Sequence, residues 1–202
     1  MNKSFIAFAL LCLIAGCSNK HKQIPDEVNT AINSDSTNTG FFPVTAFLKG
    51  QMAELDSFPV TPLLVTTLQN KTDSVWLKKE TVGPLLQPFI EEEINENNLT
   101  SFFKATKFND QSVNAITFTY NPKKLLPDSI HLRHWDIYIN PETGKINKVY
   151  MVRLLNENGK SYTQQLIWQT NKWAKITSFL NKPDGNMEIV KEEKLVWDLN
   201  EH

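Results

Sequence analysis

The chain of 202 residues sets 21 Lys and Arg against 22 Asp and Glu, for a formal net charge of −1, and carries two cysteines. That near-neutral mixture lacks the concentrated basic face of a nucleic-acid binder, so no nucleic-acid partner is expected. The seven glycines are scattered, which excludes the loops that cradle phosphate groups, and neither a zinc spacing nor a calcium loop is present, so no cofactor or metal is expected.

Met1-Asn2-Lys3 makes a short positive start, and Phe5 to Ile14 is an unbroken run of ten apolar residues. As a helix that run rises about 15 Å, roughly half a hydrocarbon core, so it reads as a signal peptide and not as a span. Ile14-Ala15-Gly16-Cys17 then resembles a bacterial lipobox. Small residues admit the signal peptidase, and the Cys17 thiol is the atom that takes up diacylglycerol as a thioether. Cleavage before Cys17 removes residues 1–16 with Lys3 and Cys12, moving the formal charge from −1 to −2 (−1 less the +1 of Lys3). The remaining cysteine is alkylated, so disulfides, thiolate metal sites and cysteine nucleophiles drop out together. Two or more acyl chains exceed what stable anchoring needs. Ser18, where an aspartate would favour inner-membrane retention, points to the outer membrane, and Ser18-Asn19-Lys20-His21-Lys22 has no acidic export signal, which points to the periplasmic face.

Residues 17–40 are expected to form the lipidated cysteine and a disordered polar tether, because Asn, Ser, Thr, Lys and Asp bury too little to offset the entropy of ordering. The 23 residues from 18 to 40 have a typical reach of roughly 25 Å and a limit near ~75 Å. Residues 41–202 suit a single α+β globular domain.

In that domain Val44, Phe47, Leu48, Met52 and Leu55 recur at helical spacing, so a first amphipathic helix starts just after Pro43. Leu63 to Leu68 and Ser74 to Lys78 read as a hairpin around a turn at Asn70-Lys71-Thr72-Asp73. A second helix is expected from Pro84 to Ile94, kinked or broken at Pro88, with Glu91-Glu92-Glu93 as a solvated face. From Leu99 onward come runs rich in aromatic and β-branched residues: 102–108, 113–120, 130–140, 145–155, 160–170, 173–180 and 187–198. Turn chemistry separates them at Asn109-Asp110, Asn140 to Gly144, Asn156 to Gly159 and Pro183 to Asn186. Short connections impose antiparallel pairing. The expected fold is therefore α+β, a curved antiparallel β-meander of about seven to nine strands with two N-terminal-half helices packed on one face. The run at 145–155 is apolar on both parities and is expected to be covered on both faces, whereas Tyr162, Leu166 and Trp168 share one face of the next strand.

His131 and His134 are the histidines of the domain's interior sequence, and on a strand they point to opposite faces, so they share no metal. His134 and Asp136 fall on one face as a hydrogen-bonded pair, read as cross-strand polar contacts in the absence of a nucleophile motif; no catalytic residue is assigned. The five tryptophans, Trp76, Trp135, Trp168, Trp173 and Trp197, are expected mostly in the core. Asp35-Ser36-Thr37, Asp73-Ser74-Val75 and Asp128-Ser129-Ile130 look like O-glycosylation acceptors of Bacteroidetes envelope proteins, with Ser36 the reasonable acceptor.

Phe42-Pro43-Val44-Thr45, Lys71-Thr72-Asp73-Ser74-Val75-Trp76-Leu77, the segment Trp135 to Lys145 and Trp168-Gln169-Thr170-Asn171-Lys172-Trp173 together resemble a group of Bacteroidetes envelope lipoproteins with no known activity. The resemblance covers most of residues 41–202 and implies no site. The expectation is a membrane-anchored envelope lipoprotein acting as a noncatalytic binding or scaffolding module for an envelope protein or glycan. The alternatives are a carrier or sensor of a hydrophobic ligand in a helix-covered half-barrel and, third, a hydrolytic enzyme.

Overall fold

The computed structural model describes residues 41–95 and 101–197. The expected signal peptide, Cys17, the tether and Ser36 lie outside the described residues.

Helix α1 spans Val44–Ser57 and follows Pro43, whose fixed φ suits a helix entry and whose carbonyl accepts the Phe47 N–H at 3.1 Å. Val44, Leu48 and Leu55 form its buried stripe, with Phe47 and Met52 partly buried beside them. Thr45 is buried as well: its hydroxyl donates to the Glu92 carbonyl at 3.1 Å and accepts the Ile94 N–H at 2.7 Å, stitching α1 to a segment almost fifty residues away.

The second helix is much shorter than its apolar pattern suggests. Helix α2 is Val82–Leu86, flanked by 3-10 turns at Lys79–Thr81 and Gln87–Phe89. Pro84 sits in its first turn, and Pro88, lacking an N–H, stops regular helix before it. The chain then continues irregularly to Ile94, yet Val82, Leu86, Phe89 and Ile94 are all buried. Burial here follows from the apolar side chains and does not require a continuous helix.

Among the described residues nine strands form one antiparallel sheet: β1 Leu63–Leu68, β2 Lys71–Trp76, β3 Phe103–Asp110, β4 Ala115–Pro122, β5 Leu132–Ile139, β6 Ile146–Glu157, β7 Lys160–Gln169, β8 Trp173–Asn181 and β9 Met187–Val196. Their order is β2-β1-β9-β8-β7-β6-β5-β4-β3, so seven strands run as an uninterrupted meander and the last returns to pair with the first. The sheet is open and curled. Register shifts in β5 against β6, at Leu132/His134 and Tyr138/Ile139, and between Ser178 and Phe179 add local twist.

Two turns differ from expectation. The first hairpin turns at Gln69-Asn70, both at positive φ (46° and 65°), the two-residue turn whose twist matches paired strands. Lys71, Thr72 and Asp73 therefore belong to β2, where polar side chains cost nothing because every residue of that edge strand is exposed. In the second case β3 runs through Asp110, and the chain reverses over residues 111–114 with Asn114 at φ 47°. Asn158-Gly159 forms the expected turn between β6 and β7, both at positive φ.

The inner face of the sheet holds the core. Tyr120 stacks on Trp135 at 4.5 Å, with Phe103 and Phe41 edge-on to the same indole. Trp168 meets Phe89 at 5.4 Å and Trp197 at 5.3 Å. Three tryptophans are thus buried, whereas Trp76 is 56 % exposed and Trp173 lies half-buried beneath the Lys194 ammonium at 4.6 Å. On β6, Val149, Met151 and Arg153 are buried on the inner face, while Tyr150, Val152 and Leu154 are half-buried on the outer face. The expected cover on both sides of β6 is absent among the described residues: flanking side chains, and no second layer, shield its outer face.

Candidate functional site

The outer face of β4, β5 and β6 gathers the polar side chains that the sequence singles out. Register places Thr119 opposite Asp136, and strand alternation puts His134, Asp136 and Tyr138 on one side of β5. The His134 Nε2 and Asp136 Oδ2 are 3.0 Å apart, so the expected pair forms. Thr119 donates its hydroxyl to Asp136 Oδ1 at 2.6 Å, and the Tyr138 hydroxyl donates to Oδ2 at 3.4 Å. On the far side of the imidazole, Nδ1 lies 2.8 Å from the Asn121 side-chain oxygen, and Tyr150 meets the ring edge-on at 6.0 Å. Lys148 covers the face of Tyr138 at 3.8 Å.

Electrostatics follow from these contacts. Partial burial by itself would raise the Asp136 pKa, but hydrogen bonds from His134, Thr119 and Tyr138 and the attraction of His134 outweigh it and hold the carboxyl below its ordinary value. Burial, with Asp136 alongside, pushes the Tyr138 phenol up to about 12, and the same causes raise Tyr150. Both phenols remain donors throughout the physiological range.

Chemically this is a closed network. Both imidazole nitrogens are engaged, one by Asp136 and one by Asn121, and the neighbouring hydroxyls of Thr119 and Tyr138 point at the carboxylate. A histidine acting as base needs a free nitrogen aimed at a nucleophile. Here the arrangement ties β4 to β5 and gives the outer face a fixed polar and aromatic surface.

A second polar centre escaped the sequence reading. Glu91-Glu92-Glu93, expected as a solvated helix face, lies in the irregular stretch after α2, and two of the three are anchors. The Glu92 carboxylate accepts the backbone N–H groups of His131 and Leu132, the latter at 2.9 Å. Glu91 pairs with the guanidinium of Arg153, which is 2 % exposed and also donates to the Pro88 carbonyl at 3.3 Å. The imidazole of His131, 3.7 Å from Glu92, sits over this junction. The signal available in the sequence was Arg153 itself, a charge at an inward position of an otherwise apolar strand. Among the described residues no three His, Cys, Asp or Glu side chains converge as a metal site.

A cleft of about 380 Å³ opens where the end of α1 meets α2, lined by Met52, Leu55, Val82 and Leu86 with Asp56 and Lys79 beside them. Between α2 and the sheet the space next to Leu86, Phe89 and Ile176 shrinks to about 20 Å³, room for one water molecule at most. Large exposed apolar side chains lie on both edge hairpins, Leu68, Val75 and Trp76 at one edge and Phe108 and Val113 at the other, and also at Phe58, Leu125, Met187 and Ile189.

No helix among the described residues is long and apolar enough to cross a membrane. Comparison with family models, with curated proteins and with solved structures finds no match for this chain.

Proposed function

We propose that this protein is a lipid-anchored module of the bacterial envelope, tethered through Cys17 to the outer membrane on its periplasmic side, that binds a protein or glycan partner without catalysing a reaction. The resemblance to Bacteroidetes envelope lipoproteins belongs to the same reading. Anchoring rests on Ile14-Ala15-Gly16-Cys17 closing the apolar run from Phe5. The observation that carries the noncatalytic part is the engagement of both nitrogens of His134, which leaves the best acid-base candidate of the domain no free atom for chemistry. Exposed apolar groups on the two edge hairpins supply the contact area that a binding module needs.

Two experiments test it. Cys17→Ala should move the protein from the membrane fraction to the soluble fraction, and retention of the variant on membranes would refute anchoring at that residue. Capture from intact envelopes with the anchored protein, scored against the same protein unfolded by heat, should return a recurrent protein or glycan partner; recovery of bound lipid in its place would favour the carrier reading. That second reading has one observation in its favour, the apolar cleft at Met52, Leu55, Val82 and Leu86.

A further inference from the structure

The two edges of the sheet are not equivalent. In the β1–β2 hairpin the Leu77 N–H donates to the Pro62 carbonyl at 2.8 Å, which fixes the alternation along β2: Thr72, Ser74 and Trp76 turn their backbone groups outward. The outward N–H of Ser74 is already taken, donating to the side chain of Asp73 at 2.8 Å. A strand arriving at β2 would meet an occupied donor and a carboxylate.

At the opposite edge the Lys123 N–H donates to the Phe102 carbonyl at 2.7 Å. By the same alternation Lys104, Thr106, Phe108 and Asp110 bond inward to β4, and Phe103, Ala105, Lys107 and Asn109 direct their N–H and C=O groups outward. No proline or bulge interrupts β3 over its eight residues. Lys104 and Lys107 are exposed along it, and neither has a carboxylate partner among the described residues. Phe108, 63 % exposed, adds an apolar contact on the face of Lys104, and Lys107 points to the other face.

We infer that the edge of β3, unpaired among the described residues, is a docking site for an extended acidic segment of a partner protein, which adds to the sheet as a tenth strand. The inference rests on the binding-module reading and names its site. Outward main-chain groups supply a ladder of hydrogen bonds, Lys104 and Lys107 select carboxylate side chains, and Phe108 packs an apolar one. A second copy of this chain is the wrong occupant, because β3 offers two lysines and, in Asp110, a single carboxylate that already accepts from Ser112. An anionic membrane meets the lysines but makes no use of an ordered row of outward donors and acceptors.

Ala105→Pro separates these possibilities. It removes one outward N–H while leaving the bonds to β4 intact, the one setting in which a strand tolerates proline. The probe is an eight-residue capped peptide with glutamate at positions 2 and 5 and valine or threonine elsewhere, a spacing that sets one carboxylate on each face as Lys104 and Lys107 are set; it is titrated against the full-length protein in detergent. The wild-type protein should bind it, with protection of the Ala105, Lys107 and Asn109 amides from hydrogen exchange. Ala105→Pro should weaken binding about tenfold or more. Lys104→Glu with Lys107→Glu should shift preference to the same peptide with lysine in place of both glutamates. Circular dichroism identifies a variant that fails to fold, and Asn109→Pro then replaces Ala105→Pro, since it removes another outward N–H and leaves both lysines in place. Absence of peptide binding by the wild-type protein would overturn the inference, as would equal binding by a folded proline variant. Equal binding of anionic vesicles by wild type and proline variant, with no peptide binding, would assign the lysines to the membrane. Envelope partners retained by a folded Ala105→Pro variant would remove β3 as the site and leave the module reading standing.

Discussion

Arg153 on the inner face of β6 and Glu91 after α2 form an ion pair of unequal burial, the arginine 2 % exposed and the carboxylate 45 %. The arginine cannot regain solvent without displacing the segment that covers it, whereas the glutamate can be replaced in part by water. Glu91→Gln should therefore cost about 1 kcal/mol, and Arg153→Ala about 3 kcal/mol, because the latter also strips a donor from the Pro88 carbonyl and opens a cavity. Urea unfolding of the two variants checks the order; equal losses would mean that the pair acts as a surface salt bridge.

Asp136 makes stability depend on acid. Its folded pKa is depressed below the ordinary carboxyl value of 3.8, so its contribution is fully present above the unfolded pKa and is lost as pH falls through the folded one. Asp136→Asn should thus be less stable than wild type near neutral pH, and the gap should close progressively as pH falls below about 4. Unfolding midpoints over that range measure it, and a gap independent of pH would show that the lost interaction is not ionic.

Gly50 lies in α1 with open space where a Cβ would project. Gly50→Ala should stabilise the domain by about 0.5–1 kcal/mol through a less flexible unfolded chain and better helix propensity. Thermal unfolding gives the sign directly. A loss of stability would mean that the added methyl meets something on the exposed side of α1.

At the β1–β2 turn, Gln69 holds φ 46° with a side chain poorly suited to it. Asn at the first central position and Gly at the second are the favoured pair. Gln69→Asn should raise stability by a few tenths of a kcal/mol, about 0.5 at most, and Asn70→Gly should add to it. Gln69→Val, β-branched at positive φ, should lower stability by about 1 kcal/mol or more. Paired unfolding curves decide the matter, and a neutral Gln69→Val would place the turn in another conformation.

Much of the meander was legible in the chain because its connections are short: runs separated by Asn158-Gly159 or by Asn140 to Gly144 must pair antiparallel with their neighbours. Parity likewise predicted that His134 and Asp136 would meet, since side chains two apart on a strand share a face. The α2 region breaks at Pro88 as expected but is shorter than its apolar pattern, for an identifiable reason. Apolar spacing at Leu86, Phe89 and Ile90 reports which side chains face the core, and it survives when Pro88 prevents a continuous helix.

By itself the sequence determined the local alternation, most turns, a core holding most of the tryptophans without saying which, and the motif at Cys17 on which the proposal of anchoring rests. Tertiary structure decided what depends on distant partners. The return of β9 to β1, the conversion of Glu91 and Glu92 from surface charges to anchors for Arg153, His131 and Leu132, and the contrast between the two sheet edges all join residues far apart in the chain. Local periodicity encodes which way a side chain points. It carries no record of which remote donor or carboxylate will be waiting there, because that is set only when the sheet curls and brings the two together.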